Sequence, residues 1–201
     1  MKRVFDIAAA AFGLLLLSPL FLFVAILIKL DSRGPIFFRQ ERIGRDFRPF
    51  FIYKFRTMVE NAAQIGSVIT YGGDPRITRI GRFLRKTKID ELAQLINVVK
   101  GEMSMVGPRP EVPRYVEMFR QDYEEILKIR PGITDLASLK YQDEAELLGT
   151  SASPEEDYVK RILPDKLKLA KDYVQCSSLT FDIGLMLKTV PKLIGCRAWP
   201  G

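Results

Sequence analysis

Asp90 and Glu91 are adjacent carboxylates set behind a block of cations and ahead of an arginine held between two prolines, within the stretch GRFLRKTKIDELAQLINVVKGEMSMVGPRPE at residues 81–111. Between positions 76 and 88 stand six basic residues, Arg76, Arg79, Arg82, Arg85, Lys86 and Lys88, and no acid. A carboxylate in such a field stays ionised. Further on, Gly107-Pro108-Arg109-Pro110 fixes φ at both prolines and disfavours helix at Arg109, so its guanidinium is presented on a stiff backbone. The planar fork suits phosphate oxygens. Together these residue types make a layout for handling phosphate.

The pair needs an element to position it. Thr87 and Asp90 match the N-cap and N3 positions of a capping box, and Ile89, Leu92, Leu95, Ile96 and Val99 fall on one helical face that Gly101 can close. Asp90 and Glu91 would then occupy the first turn, where free amides and the helix dipole favour a bound anion. For an isolated T-x-x-D-E an ordinary cap is the simpler account. The neighbouring cations and the proline-flanked Arg109 shift the balance toward chemistry.

Composition narrows that chemistry. The 201 residues are 47% apolar and 27% charged, enough for one domain with a core and an appendage. A net charge of +7 calls for an anionic partner: nucleic acid, anionic lipid or a phosphorylated substrate. There is no histidine, which removes imidazole bases, histidine triads and histidine-containing zinc sites. Cys176 and Cys196 form no CxxC, so reduced cytosolic thiols are expected.

The N-terminus carries 22 uncharged residues at 7–28, long enough at ~1.5 Å per residue to cross a ~30 Å hydrocarbon core. Ser18-Pro19 interrupts the run at its centre, where proline removes a donor and kinks a helix. Lys2 and Arg3 precede the run, while Lys29, Arg33, Arg39, Arg42, Arg45 and Arg48 follow it, so both flanks ask for the cytoplasmic side. A helix-break-helix hairpin entering and leaving one leaflet answers both, with arms of about eleven residues, ~16 Å each. A single span is the alternative. Asp6 at the lip can pair with Lys2 or Arg3, or cap the first helix.

Residues 36–43 and 50–57 read as a β-hairpin around the turn at 44–49, with Phe51, Tyr53 and Phe55 on one side and Lys54 and Arg56 on the other. Positions 59–65 read as a short helix and 67–75 as a loop, without a Walker or GxGxxG pattern. Residues 113–130 read as one core-packed helix, 133–141 as a short extended piece and 149–154 as a loop. Residues 158–173 and 181–194, the latter with Lys188 and Lys192, together with Trp199, suit either the membrane surface or globular packing.

Several stretches resemble one family. Lys2-Arg3-x-x-Asp6 before an apolar run broken at Ser18-Pro19, then GPIFFRQERIG, YKFRTM, DPRITRIGRFLRKTKIDELAQLINVVKGEMSMVGPRPE and RPGIT, are similar to the monotopic phosphoglycosyl transferases, also called bacterial sugar transferases, over residues 2–134. The chain resembles their minimal catalytic form. The likeness implies an α/β fold, mostly helical with a small β-hairpin, with a re-entrant membrane helix at 1–30, broken at Ser18 and Pro19, and a cytosolic membrane-associated domain at 31–201 bearing amphipathic interfacial helices. It implies a monotopic enzyme on the cytosolic face of the inner membrane that moves a phosphosugar from a UDP-sugar to undecaprenyl phosphate with Mg2+, releasing UMP.

In that family the first acid of the pair, here Asp90, is the nucleophile of a ping-pong cycle, and Glu91 assists with metal or acceptor, so both are implied metal ligands. Lys54, Arg85 and Arg109, and with less weight Arg56 and Arg76, are implied phosphate contacts. The family commonly has Gly after RPGIT where this chain has Asp135, which makes that turn less certain. Membrane lipids are implied partners, nucleic acid is not, and homo-oligomerisation stays open. The competing reading from charge alone is a membrane-tethered basic module for nucleic acid or anionic lipid.

Overall fold

The computed structural model describes residues 1–65, 74–141, 144–151 and 153–193. The apolar run forms α1 (Lys2–Leu16) and α2 (Ser18–Asp31), bent by 60° at Leu17. No single described helix is long and apolar enough to cross a membrane; the two pass that test only as a bent pair. Pro19 sits in the first turn of α2, where its missing amide costs nothing, and the Ser18 hydroxyl donates to the Leu15 carbonyl at 2.8 Å. Phe12, Leu15, Leu16, Leu22, Phe23 and Ile26 are exposed around the bend. Such a contiguous apolar surface marks a membrane or partner contact.

The lower parts of both arms dock on the rest of the chain. Ala10, Leu14 and Leu17 pack with Phe50, Ile52, Leu95, Val98 and Met103, while Val24 and Ile28 pack with Phe55, Leu84 and Ala93. Polar anchors fix the first arm. Arg3 donates to the carbonyls of Val98 (2.6 Å) and Met103 (2.9 Å), and Lys2 reaches the Val106 carbonyl, the Tyr173 hydroxyl and Asp182. Asp6 acts on Arg3 electrostatically but forms no close ion pair with Lys2 or Arg3 and does not cap α1. Its carboxylate accepts from the Ser104 hydroxyl (2.6 Å) and the Met105 amide (3.3 Å).

β1 (Phe37–Ile43) and β2 (Pro49–Phe55) pair antiparallel from Phe37 opposite Phe55 to Ile43 opposite Pro49, so the expected hairpin is present. Phe50 and Ile52 face the core beside Lys54. Phe51 is 46% exposed, and with Tyr53 it lies under the Arg39 guanidinium. Fully buried Asn97 closes the free edge of β2, accepting from the Tyr53 amide (3.0 Å) and donating to the Phe51 carbonyl (2.7 Å). A side-chain amide here replaces a third strand.

α3 (Ala62–Ile65) is shorter than the expected 59–65, and most of the expected 67–75 loop lies outside the described residues. α4 (Arg79–Lys86), a 3-10 segment (Ile89–Gln94) and α5 (Leu95–Lys100) lead to β3 (Ser104–Val106). The single helix expected at 113–130 is two, α6 (Pro113–Met118) and α7 (Arg120–Ile126), because Phe119 leaves helical geometry at φ −118°, ψ 36°. β4 (Gly132–Thr134) then pairs with β3 in parallel, a second sheet not expected from sequence. The remaining elements are α8 (Leu136–Lys140), α9 (Glu144–Gly149), α10 (Pro154–Asp157), a π turn (Tyr158–Ile162), α11 (Leu163–Cys176) and α12 (Leu179–Leu193).

The largest core cluster joins α6, α7 and α11 through Tyr115, Val116, Tyr123, Ile126, Tyr158, Ile162, Leu163 and Leu167. The apolar face of 158–173 is therefore used in globular packing. In α12, Phe181, Leu185 and Met186 pack near Val106 and Tyr173, with Ile183 and Leu187 exposed. Cys196 and Trp199 lie outside the described residues, and Cys176 is free and exposed.

β3 and β4 meet through glycines. A Cβ on Gly132 would stand 2.0 Å from the Gly107 amide nitrogen, and one on Gly107 would stand 2.5 Å from the Arg130 carbonyl oxygen. Backbone cannot yield as a side-chain tip does. Gly132→Ala is expected to destabilise the protein by about 2–4 kcal/mol, read as a lowered denaturation midpoint. Gly184→Ala in α12, whose added Cβ meets nothing within 4 Å, is expected to be neutral or to stabilise by up to ~1 kcal/mol. Equal effects from the two changes would refute this account of the parallel pair.

Candidate active site

The local structure around the carboxylate pair begins at α4. The Thr78 hydroxyl caps it by accepting from the Gly81 amide at 3.0 Å. Gly81 lets the helix lie against β2's exit: a Cβ there would be 2.0 Å from the Thr57 carbonyl oxygen. The capping box expected at Thr87 and Asp90 does not form. Thr87 ends α4, and its hydroxyl donates to the Phe83 carbonyl at 2.9 Å. Lys88 then turns left-handed at φ 56°, and Asp90 and Glu91 open the 3-10 segment. Because no cap consumes it, Asp90 is left free. Asp90 is 6% exposed, and its Oδ1 has no hydrogen-bond partner among the described residues.

Glu91 is the opposite case. Its Oε1 accepts from Lys54 Nζ at 2.8 Å and from Arg109 Nη2 at 2.7 Å, and its Oε2 faces Arg109 Nη1 at 3.4 Å. Lys54 comes from β2 and Arg109 from the loop after β3, so three separate elements meet on one carboxylate. That loop is fixed by its backbone. The Gly107 amide donates to the Thr134 carbonyl (3.1 Å), the Gly132 amide to the Pro108 carbonyl (2.9 Å) and the Arg109 amide to Asp135 Oδ2 (3.2 Å). Asp135 also caps α8 by accepting from the Ser138 amide at 2.6 Å.

These environments push the two carboxyls apart. Burial and, next, the Glu91 charge raise the Asp90 carboxyl to about 6, against the pull of Lys54, Arg85 and Lys88. Burial also disfavours the Glu91 anion, but Arg109 and Lys54 outweigh it and hold Glu91 well below the carboxylate range. Lys54 is lowered from its usual value by burial, with Glu91 opposing. Arg109 is raised, first by Glu91. At neutral pH Asp90 is an ionised carboxylate with a free oxygen and raised basicity, and Glu91 is a fixed anion.

The other expected residues are distributed differently. Arg85 is half-buried, acts electrostatically on Asp90, and makes one long contact, 3.5 Å, to the Thr57 hydroxyl. Arg76 is turned to Asp74 in a buried pair (2.6 Å) and to the Ala62 carbonyl (3.0 Å), which bolts the 74–78 strap to α3. Arg56 is directed at the turn after α2 through Ser32 (2.7 and 2.9 Å). Ser18 and Pro19 shape the hairpin bend. Lys88 stands in the cationic block read from sequence, but nothing between Thr87 and the acid pair signals its left-handed backbone. Sequence reasoning missed Asp135 and the Glu111 hub, in which Glu111 accepts from Arg42 (2.8 Å), the Tyr158 hydroxyl (2.6 Å) and the Val112 amide (2.9 Å).

Among the described residues no group of three or more His, Cys, Asp and Glu side chains converges as a metal cage. Mg2+ does not require one, since it uses one or two carboxylates plus waters and substrate phosphates. The unpartnered Asp90 oxygen fits that role. Both Glu91 oxygens already face cations, so Glu91 suits it less well.

A family model described as bacterial sugar transferase matches residues 1–196. The chain is 39% identical over 199 residues to an Aeromonas hydrophila protein named UDP-N-acetylgalactosamine-undecaprenyl-phosphate N-acetylgalactosaminephosphotransferase, covering 96% of this chain and 44% of that one. It is 39% identical over 198 residues to the UDP-glucose:undecaprenyl-phosphate glucose-1-phosphate transferases of Caulobacter vibrioides and Escherichia coli K12, covering 96% of this chain and 69% and 40% of theirs. The chain thus spans less than half the length of two of these three relatives. With a match that runs through α1 and α2, the acid pair and the proline-flanked arginine, the chain belongs to the bacterial sugar transferase family.

Proposed function

We propose that this chain is a phosphoglycosyl transferase that moves a sugar-1-phosphate from a UDP-sugar to undecaprenyl phosphate at the cytosolic face of the inner membrane. The observation that carries the reading is the buried, unpartnered Asp90 oxygen in the electrostatic field of Lys54, Arg85 and Lys88. The relatives' names supply the reactants. The bent α1–α2 pair, with its exposed apolar bend, supports entry into and return from one leaflet.

In the first half-reaction an Asp90 oxygen attacks the β-phosphorus of the donor. A P–O bond to the aspartyl oxygen forms, the bridging P–O bond breaks, and UMP leaves with that electron pair. No base is needed, because a carboxyl titrating at about 6 is already ionised at cytosolic pH. In the second half an oxygen of the lipid phosphate attacks the same phosphorus and releases Asp90 as carboxylate. Mg2+, held by Asp90 and the diphosphate, would neutralise phosphate charge and polarise the reacting phosphoryl group. Arg85 and Lys88 receive the diphosphate beside Asp90. The Glu91 anion locks Lys54 and Arg109 in place, so the cationic wall needs no rearrangement as charge shifts. A nucleic-acid role is less well supported, since Lys54, Arg76 and Arg109 are engaged by carboxylates instead of facing solvent.

Asp90→Asn is expected to reduce transfer of sugar phosphate to undecaprenyl phosphate at least 10³-fold and to abolish any covalent adduct in intact-mass spectra of enzyme quenched with UDP-sugar. Full transfer by the variant would refute the nucleophile. The same change is expected to stabilise the fold. A carboxyl raised above its unfolded value loses stability as pH climbs from about 4 through about 6. In EDTA, Asp90→Asn should therefore unfold like the wild type near pH 4, and above pH 7 exceed it by up to about 3 kcal/mol. A gap that stays constant from pH 4 to 8 would contradict the burial argument.

A further inference from the structure

Arg56 is 6% exposed, and only its Nη2 is satisfied, by the Ser32 carbonyl (2.7 Å) and hydroxyl (2.9 Å). Its Nε and Nη1 are shut from solvent with no hydrogen-bond partner among the described residues. Together with Asp90 Oδ1 they make up three of the four such side-chain atoms, the fourth being Arg42 Nε. A buried guanidinium satisfied only by neutral oxygens is costly, and the usual remedy is an anion. The turn over it is built for close approach. Gly34 has φ +116°, and a Cβ there would lie 2.2 Å from Nη1. The carboxyl carbon of exposed Glu60 would be 3.2 Å from the same point, yet Glu60 forms no ion pair with Arg56.

Its position suggests which anion. On one side, Lys29 in the last turn of α2 donates to the Gly34 carbonyl at 2.8 Å, where the chain leaves the apolar hairpin. On the other, Arg56 adjoins Thr57, whose hydroxyl meets Arg85, and Arg85 acts on Asp90. A phosphate whose hydrocarbon chain stays in the bilayer would reach this turn before it reaches Asp90.

We propose that Arg56, with the turn at 32–34, receives the phosphomonoester of the lipid acceptor, at a subsite separate from the donor diphosphate beside Arg85 and Lys88. The assignment rests on the transferase reading above. Binding lifts the turn off Nη1 and Nε, and the guanidinium offsets the acceptor's negative charge as it approaches the aspartyl-phosphosugar. In that step the lipid phosphate oxygen forms the new P–O–P bond, the P–Oδ bond breaks and Asp90 returns as carboxylate. Arg56 touches no atom that changes bonding.

The test uses the full chain in nanodiscs of zwitterionic lipid, so that undecaprenyl phosphate is the only phosphomonoester lipid present. Without acceptor, Arg56→Gln is expected to release its UMP burst within twofold of the wild-type rate. With acceptor, KM for undecaprenyl phosphate should rise at least tenfold while KM for UDP-sugar changes less than twofold, and Arg56→Lys should recover part of the loss. A mere anchor of the exit turn would instead slow the burst and the transfer together. That result, or an unchanged acceptor KM, overturns the proposal. If Arg56→Gln does not fold, Arg56→Lys decides alone: a threefold or greater rise in acceptor KM supports the subsite, and no rise overturns it. Adding phosphatidate distinguishes the phosphate source: competition seen in the wild type and lost in the variant means that any lipid phosphomonoester is taken. A wild-type enzyme that shows no burst refutes the aspartyl intermediate instead, and the acceptor KM ratio still reads Arg56.

Discussion

The ion triad of Lys54, Glu91 and Arg109 is the constraint on which the site depends. Each member comes from a different element, and each is half-buried, with 34% of the Arg109 side chain exposed. Removing one partner leaves a partly desolvated charge without its attraction. The triad therefore sets the relative positions of β2, the 3-10 segment and the loop after β3. Its supports lie outside it. Asn97 closes the edge of the strand that bears Lys54, and Asp135 holds the backbone of Arg109. The Glu111 hub ties the end of that loop to β1 and the π turn.

The hairpin is coupled to the same framework by polar bonds at its base and apolar contacts along its arms. Arg3 caps the carbonyls at the end of α5 and beyond it, and Asp6 meets β3 side-on. α2 lies against Leu84 of α4, and Asp31 accepts from the Ile80 amide at 3.0 Å. Both arms thus touch an element that borders the acid pair: α1 touches α5 and β3, and α2 touches α4. A tilt of the hairpin would pass to Asp90 through short, well-packed contacts. The proposed transfer from a water-soluble donor to a lipid acceptor would draw on such a link between hairpin and acid pair.

Much of this was legible in the sequence where the signal is local. The Pro19 break, the hairpin pairing and the grouping of the acid pair with cations follow from residue type and spacing. What was not legible depends on partners distant in the chain. Thr87 fits an N-cap by pattern, but a helix already running into it from Thr78 turns it into a stop. β3 and β4 have three residues each, too few for any period, and only the glycine contact between them reveals why they pair. Lys2 and Arg3 were read as markers of membrane side, yet both are engaged by carbonyl oxygens. Glu111 follows the Pro-Arg-Pro run like a surface acid, and nothing nearby announces that Tyr158 and Arg42 enclose it.

The adjacent carboxylates show how two similar side chains acquire different tasks from one turn of backbone. Successive residues in a 3-10 turn point about 120° apart, so Glu91 meets the strand and the loop while Asp90 points away from that pairing. Glu91 gains two cations and becomes a permanent anion. Asp90 is left with burial and with the repulsion of its neighbour, both of which raise its carboxyl to about 6 against the pull of Lys54, Arg85 and Lys88. For the proposed transfer, a carboxylate paired as closely as Glu91 would be too stabilised to attack phosphorus, and one without nearby cations would repel an incoming diphosphate. The left-handed Lys88 and the missing cap at Thr87 are what keep Asp90 between those limits.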